Sequence, residues 1–426
     1  MLNIRVSERS QIILIFCIAF IFRYLFSLFS GIGNFEIPDI VRYMAQSDSI
    51  LEGRFNLDGK LFITAPLFPY ILAFFKFVFG ASYIAALEIF QITLSSISVV
   101  MLMQTAYVIF KDQRIKLLVG IAMSIYPVTL YYVHQFSQES IFQSLFIISI
   151  YYYSVFFTKE QIKDLILFSV FFALALLTKS IILLMFPFLM ISLLFKFQIS
   201  RKKIFQICCS VSIILLITAP YGIYNKVVNN TYVIASSGQG GLFLTGHNDD
   251  FYTNVVNPPP KDSSEYKRLR NMDFKIFEEL ESQVANKEHK FKQATYLNAG
   301  IEWSLQNPDK FFHLLWVNIR NFLQPGFNIF HHPFNLWLLT FLMSAPVYVL
   351  AYIEIIRRLL IAPRDHLAIA SIFLGMISVA IIFYHQGRFR AITVEPFYLM
   401  YACSCFIYIL QTKLKLLKKT EPSNQH

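Results

Sequence analysis

Charge is the scarcest commodity in this chain. Of 426 residues only 15% are Asp, Glu, Lys or Arg, while 56% are hydrophobic. Residues 12–22, 165–177 and 181–195 carry no charge at all. A soluble chain of this length needs far more polar surface, so a multi-pass membrane protein is the class that remains. Cysteine is also rare. Cys17, Cys208, Cys209, Cys403 and Cys405 all lie inside apolar runs, with no CxxC and no Cys/His cluster. That excludes a disulfide framework and a structural zinc site, and leaves the thiols as small core residues. No internal repeat is visible, against the usual build of a transporter. The N-terminal apolar run has no small-residue cleavage site and reads as an uncleaved first span. The net charge of +11 raises the question of nucleic acid. The basic residues fall in short clusters between apolar runs, without any nucleic-acid-binding motif, so no nucleic-acid partner is expected.

What is present is a succession of apolar runs, each near the length of a membrane-spanning helix, about 20 residues. The basic clusters are Arg5/Arg9, Lys111/Arg114/Lys116, Lys159/Lys163, Lys196/Arg201/Lys202/Lys203, Arg357/Arg358/Arg364 and the tail Lys413/Lys415/Lys418/Lys419. One assignment puts all of them on the cytoplasmic side, against anionic headgroups. It predicts spans at 12–30, 84–110, 117–133, 139–157, 165–178, 181–195, 204–222, 335–356, 366–384 and 393–412, with both termini cytoplasmic. Residues 66–79 are too short for a span and carry Lys76, so they read as an interfacial or re-entrant helix. Residues 308–330 mix aromatics with Lys310, His313 and Arg320 and read as an amphipathic helix on the membrane. Residues 165–195 form a hairpin tipped by Thr178-Lys179-Ser180. Each arm is about 15 residues, or about 22 Å, which sinks Lys179 below the headgroups.

The expected fold is therefore an all-α polytopic membrane protein with about ten transmembrane helices, interfacial helices and a small extracytoplasmic domain. Residues 1–222 form the first membrane unit, with an external loop at 31–82. Residues 223–332 are extracytoplasmic, 333–412 are C-terminal membrane helices, and 413–426 are a basic cytoplasmic tail. Richness in Ile, Phe, Lys and Asn is typical of AT-rich bacterial genomes, which points to a bacterial inner (plasma) membrane.

This topology gathers polar residues at the outer face. They are Asp39, Arg42, Tyr43 and Lys60, then His134 and Glu139, Lys179, Gly246-His247-Asn248-Asp249-Asp250, and finally His385, Arg388, Arg390 and Glu395. Acids beside cations at a membrane surface suit transfer from a lipid-linked phosphate donor to an external acceptor. A carboxylate takes the acceptor proton and cations hold the phosphate. Blander readings stand beside these. Asp39 after Pro38 is equally a helix-start residue with Arg42 as partner, Glu139 a first-turn acid, and Lys179 a snorkelling side chain. Arg388 and Arg390, two apart in an extended loop, point the same way and suit an anion better than membrane anchoring. His134, His247 and His385 lack metal-ligand spacing. No metal site is assigned, although a divalent metal at Asp249 and Asp250 stays open.

Four stretches carry a resemblance. They are Asp39 with Tyr43, Ala65-Pro66-Leu67-Phe68-Pro69 running to Phe79-Gly80, Tyr126-Pro127 through Gln138-Glu139, and Arg388-Phe389-Arg390 with Glu395-Pro396. A weaker fifth is Gly246-His247-Asn248-Asp249. Together they resemble the class C membrane glycosyltransferases that use polyprenyl-phosphate sugars, in the protein O-mannosyltransferase-like and aminoarabinose-transferase-like groups. The resemblance implies an inverting transfer at the extracytoplasmic face, with Asp39 as general base. The family often has Asp-Glu where Ile40 follows Asp39, so Glu139 stands in as the second acid. It often has Arg-Pro where this chain has Lys179-Ser180, so the cation is kept. The residues together point to Asp39 as base and to Lys179, Arg388 and Arg390 as a phosphate clamp, with Tyr43, Lys60, His247 and Asn248 as further substrate-binding residues. The implied partners are membrane lipids, a lipid-linked sugar donor and a glycan, lipid or protein acceptor. A transporter or flippase, a lipid-diphosphate-dependent polymerase or ligase, and a non-catalytic assembly subunit are the competing classes.

Overall fold

The computed structural model describes residues 7–30, 38–54, 65–197, 200–285, 287–326 and 334–420, and these contain no strand. The helices are α1 (Glu8–Ser30), α2 (Pro38–Leu51), α3 (Leu67–Phe79), α4 (Tyr83–Phe110), α5 (Gln113–Ile125), α6 (Pro127–Val133), α7 (Gln138–Lys159), α8 (Ile162–Thr178) and α9 (Met185–Lys196). After them come α10 (Arg201–Asn229), α11 (Gln239–Gly246), α12 (Asp249–Val256), α13 (Ser264–Arg270), α14 (Lys275–Val284), α15 (His289–Gln306) and α16 (Pro308–Leu323). The last four are α17 (Phe334–Ile361), α18 (Pro363–Ile382), α19 (Gly387–Thr393) and α20 (Glu395–Thr420).

Helices occupy all ten positions predicted to span. Seven stretches are long and apolar enough to cross a membrane, or eight with the bent pair α5–α6, among the described residues. α8, at 17 residues, falls short of that length, as does the unit of 3-10 turn and α9 from Ser180 to Lys196. The short arms of this hairpin are as the sequence anticipates.

One local expectation is refined and one is corrected. Residues 117–133 do not make one straight span, because the chain bends by 50° between α5 and α6. Pro127 has no N–H to continue the α5 ladder, and Tyr126 is extended (ψ 117°), as a residue before proline tends to be. Residues 387–393 are not an extended loop but the short helix α19.

α7 is the hub. Of its apolar window 83% is buried, against 17% for α1, which leaves α1 facing outward with Phe29 and Leu28 exposed. The single large core runs from Ile15 of α1 to Cys403 of α20. Close approach at Gly375 fits α18 against α9, since a Cβ there would stand 2.7 Å from Met185 Cα. One end of the bundle is basic and stitched by ion pairs. Lys196 of α9 meets Asp365 of α18 at 2.6 Å, and Lys203 of α10 meets Glu160 at the end of α7 at 2.7 Å. The opposite end carries α2, α19 and the start of α7. There α11–α16 enclose small cores of their own, one around Phe251, Leu269, Phe274, Leu314 and Tyr384. Gly246 docks this group on the bundle, because a Cβ would lie 1.9 Å from Phe383 O.

Candidate active site

Pro38 opens α2, suiting its fixed φ, and places Asp39 in the first turn, where the helix dipole favours an acid. Arg388, in the first turn of α19, donates from Nη1 to Asp39 Oδ2 at 2.9 Å. Arg42 stands 3.7 Å from the other carboxylate oxygen. Glu139 occupies the first turn of α7, and Lys179 Nζ donates to its Oε1 at 2.8 Å. The same Oε1 is 3.8 Å from Arg388 Nη1. Lys179 sits where α8 gives way to the 3-10 turn, with its ammonium 5.0 Å from the Phe389 ring centre. The four charges alternate as Asp39, Arg388, Glu139, Lys179, drawn from four separate chain segments.

The array has a closed floor and an open mouth. The Glu139 and Lys179 side chains are 5% and 6% exposed, whereas those of Asp39 and Arg388 are 31% and 42% exposed. Burial opposes the charge on Arg388, but Glu139 and Asp39 outweigh it and raise its pKa. Tyr43, one turn beyond Asp39, is buried edge-on against Phe68 at 5.0 Å, and burial, Glu139 and Asp39 all push its phenol up. It forms a wall that carries no negative charge. Lys60 lies outside the described residues.

Other sequence candidates are engaged elsewhere. Arg390 points away from Arg388, because residues two apart on a helix differ by about 200° in direction. Its guanidinium donates to the carbonyls of Asn321 (3.0 Å), Phe322 (3.2 Å), Gln324 and Gly326 (3.0 Å). These are the unpaired carbonyls at and beyond the end of α16. Glu395 backs Arg390 at 3.4 Å. The expectation that the two arginines share a direction is corrected by the helical backbone. His247 stacks on Phe243 at 4.0 Å and its Nδ1 lies 2.8 Å from Phe243 O, while Asn248 caps α12 and donates to Leu244 O at 2.7 Å. No hydrogen bond or ion pair joins either to the four-charge array among the described residues. Asp249 pairs with Lys310 and Asp250 with Arg268, and no cluster of three or more metal-ligating side chains occurs among the described residues.

Sequence reasoning missed two tyrosines. Tyr126 and Tyr348 donate to the two oxygens of Glu395 at 3.0 and 2.6 Å. They tie the α5–α6 bend and α17 to the segment that carries the arginines. Tyr126 entered the sequence reading only as part of the Tyr126-Pro127 motif, and Tyr348 did not enter it at all.

Residues 64–224, short of half the chain, match the model of the dolichyl-phosphate-mannose-protein mannosyltransferase family. No curated protein matches the chain by sequence. Among solved structures, the chain is similar to the archaeal oligosaccharyltransferase AglB from Archaeoglobus fulgidus in complex with an inhibitory peptide and a dolichol-phosphate. That match has 11% identity and a TM-score of 0.57, and covers 98% of this chain and 52% of the other. The same organism's oligosaccharyltransferase tethered to an acceptor peptide gives 12% identity and a TM-score of 0.56, with 98% and 51% covered. The chain thus spans about half the length of these proteins, and at such identities the likeness is one of fold. The protein has the class C membrane glycosyltransferase fold, and its segment 64–224 matches the dolichyl-phosphate-mannose-protein mannosyltransferase family.

Proposed function

We propose that this protein is a glycosyltransferase that moves a sugar from a polyprenyl-phosphate donor to an extracytoplasmic glycan, lipid or protein acceptor. The observation that carries the reading is the alternating array of Asp39, Arg388, Glu139 and Lys179 at one end of a membrane bundle. The positive-inside rule supports a cytoplasmic basic end and an extracytoplasmic array, and the Ile-, Phe-, Lys- and Asn-rich composition supports a bacterial inner membrane. The AglB structures, solved with dolichol-phosphate and with a tethered acceptor peptide, support a lipid-linked donor and an external acceptor in general terms.

In the mechanism, Asp39 is the general base, and Arg388 with Lys179 is the phosphate clamp. Asp39 takes the proton of the acceptor hydroxyl or amine, whose lone pair attacks the anomeric carbon. The bond from that carbon to the phosphate oxygen breaks, and the electron pair leaves on the polyprenyl phosphate. Arg388 and Lys179 stabilise that growing negative charge. Attack opposite the leaving group inverts the anomeric centre. Glu139 balances the two cations and keeps Lys179 charged at the buried floor. Tyr43 walls the pocket. Arg390 acts at a distance, locking the end of α16 under α19.

Asp39 and Arg388 hold each other at 2.9 Å. Donor phosphate competes with Asp39 for Arg388, and winning that contest frees the base. Donor therefore binds before the acceptor is activated. The test is transfer by the purified full chain in lipid from a panel of radiolabelled polyprenyl-phosphate sugars. Release of free polyprenyl phosphate in step with label leaving the donor is expected. If only lipid-diphosphate donors react, the ligase reading replaces this one.

A further inference from the structure

Arg23 lies in the C-terminal half of α1, an apolar helix long enough to span, and its side chain is fully buried. A cation at such a place is costly unless it does something there. None of the described carboxylates pairs with it. Its Nε donates to Ser95 Oγ of α4 at 2.8 Å, and its Nη1 to Ala19 O at 3.1 Å and Ser124 O at 3.2 Å.

Ser124 belongs to the last turn of α5, immediately before the break at Pro127. The final carbonyls of a helix lack intrahelical donors, and proline removes one more. Arg23 supplies a donor at that spot. The far end of α6 is gripped in the same way from α4. Gln91 Nε2 donates to Val133 O and Gln135 O, both at 3.4 Å. His134 Nδ1 lies 3.2 Å from Glu88 Oε1, which also accepts from Ser27 of α1. The polar side chains of α1 and α4 thus hold both ends of α6. What α6 connects is functional, since Tyr126 before it reaches Glu395, and Glu139 shortly after it anchors Lys179.

We infer that Arg23, with Gln91 and Glu88, is a set of positioning residues that fixes the bent α6 segment and so aims Glu139 at Lys179 and Arg388. None of the three touches the four-charge array. The catalytic consequence rests on the transferase reading, whereas the mechanical part does not.

The test compares wild type with Arg23→Met, Arg23→Lys and Gln91→Leu in the purified full chain, at a temperature where each remains helical. Amide hydrogen exchange is followed over 124–139. Exchange there should quicken about tenfold or more in Arg23→Met and Gln91→Leu while the rest of the chain keeps its rates, with Arg23→Lys in between. Donor affinity should weaken severalfold and turnover fall about 10- to 100-fold, as expected of a misplaced phosphate clamp. Exchange that is unchanged, or raised evenly over all helices, overturns the positioning role, as does full turnover in a variant whose segment has loosened. If Arg23→Met does not fold, Gln91→Leu decides alone. The exchange result needs no donor, so a wild type that transfers no sugar overturns the proposed function and leaves the brace to stand or fall on exchange.

Discussion

Lys179 and Glu139 show what a buried charge demands. Each is almost wholly enclosed, and at 2.8 Å they neutralise one another. Lys179→Met leaves Glu139 buried with only the more distant Arg388, and removing one partner of a buried pair costs about 3–5 kcal/mol. The double variant Lys179→Met with Glu139→Gln should recover most of that loss, as read by thermal unfolding in detergent. Asp39→Asn should act in the other direction on the donor. It removes the competitor for Arg388, so donor binding should tighten severalfold while turnover drops by about 10²–10⁴. Isothermal titration beside a rate assay separates the two effects, and a donor affinity that weakens with Asp39→Asn contradicts the competition. At this scale the sequence was legible for Asp39, Glu139, Lys179 and Arg388, because ionisable residues are rare in so apolar a chain. It was not legible for Arg390, whose partners are backbone carbonyls, nor for Tyr126 and Tyr348, which are two tyrosines among 23.

At the scale of elements, hydropathy placed a helix at each position it marked as a span, and seven or eight stretches are long and apolar enough to cross a membrane among the described residues. It missed the α5–α6 break, because 117–133 is long enough to pass for one span. It also misread 387–393, where Gly387 and nearby Pro396 look like a loop while the backbone closes a short helix. The docking of α11 on the bundle depends on close approach at Gly246. Gly246→Ala would force a methyl group against Phe383 O, and overpacking of this kind costs about 1–3 kcal/mol. Limited proteolysis within 247–306 should speed up while the membrane helices stay intact. Unaltered cleavage would show that α11 docks without this contact.

At the scale of the whole molecule, the two ends of the bundle differ in chemistry. One is a basic rim of ion pairs, some half-exposed such as Lys196 with Asp365, others with one partner buried, such as Lys203 with Glu160 and Lys116 with Glu8, and the exposed ones contribute little stability. The other holds the array and the α11–α16 group, whose own pairing includes Asp250 between both guanidinium nitrogens of Arg268 at 2.9 Å. The hydrogen bonds from Arg268 hold the Asp250 carboxyl below its ordinary value. A depressed folded-state pKa gives stability that is complete above the unfolded carboxylate value and is lost as pH falls through the folded one. Asp250→Asn should therefore lower the unfolding midpoint at neutral pH and converge with wild type in acid. A difference that persists unchanged at low pH would assign the effect to packing.

The central claim is that Arg388 holds the donor phosphate and Asp39 takes the acceptor proton. The most direct measurement is equilibrium binding and turnover of a radiolabelled polyprenyl-phosphate sugar by wild type, Asp39→Asn and Arg388→Ala in lipid. The account predicts that wild type binds and transfers, Asp39→Asn binds without transferring, and Arg388→Ala fails to bind. A wild type that binds no monophosphate donor, or an Asp39→Asn variant that transfers at the wild-type rate, contradicts it.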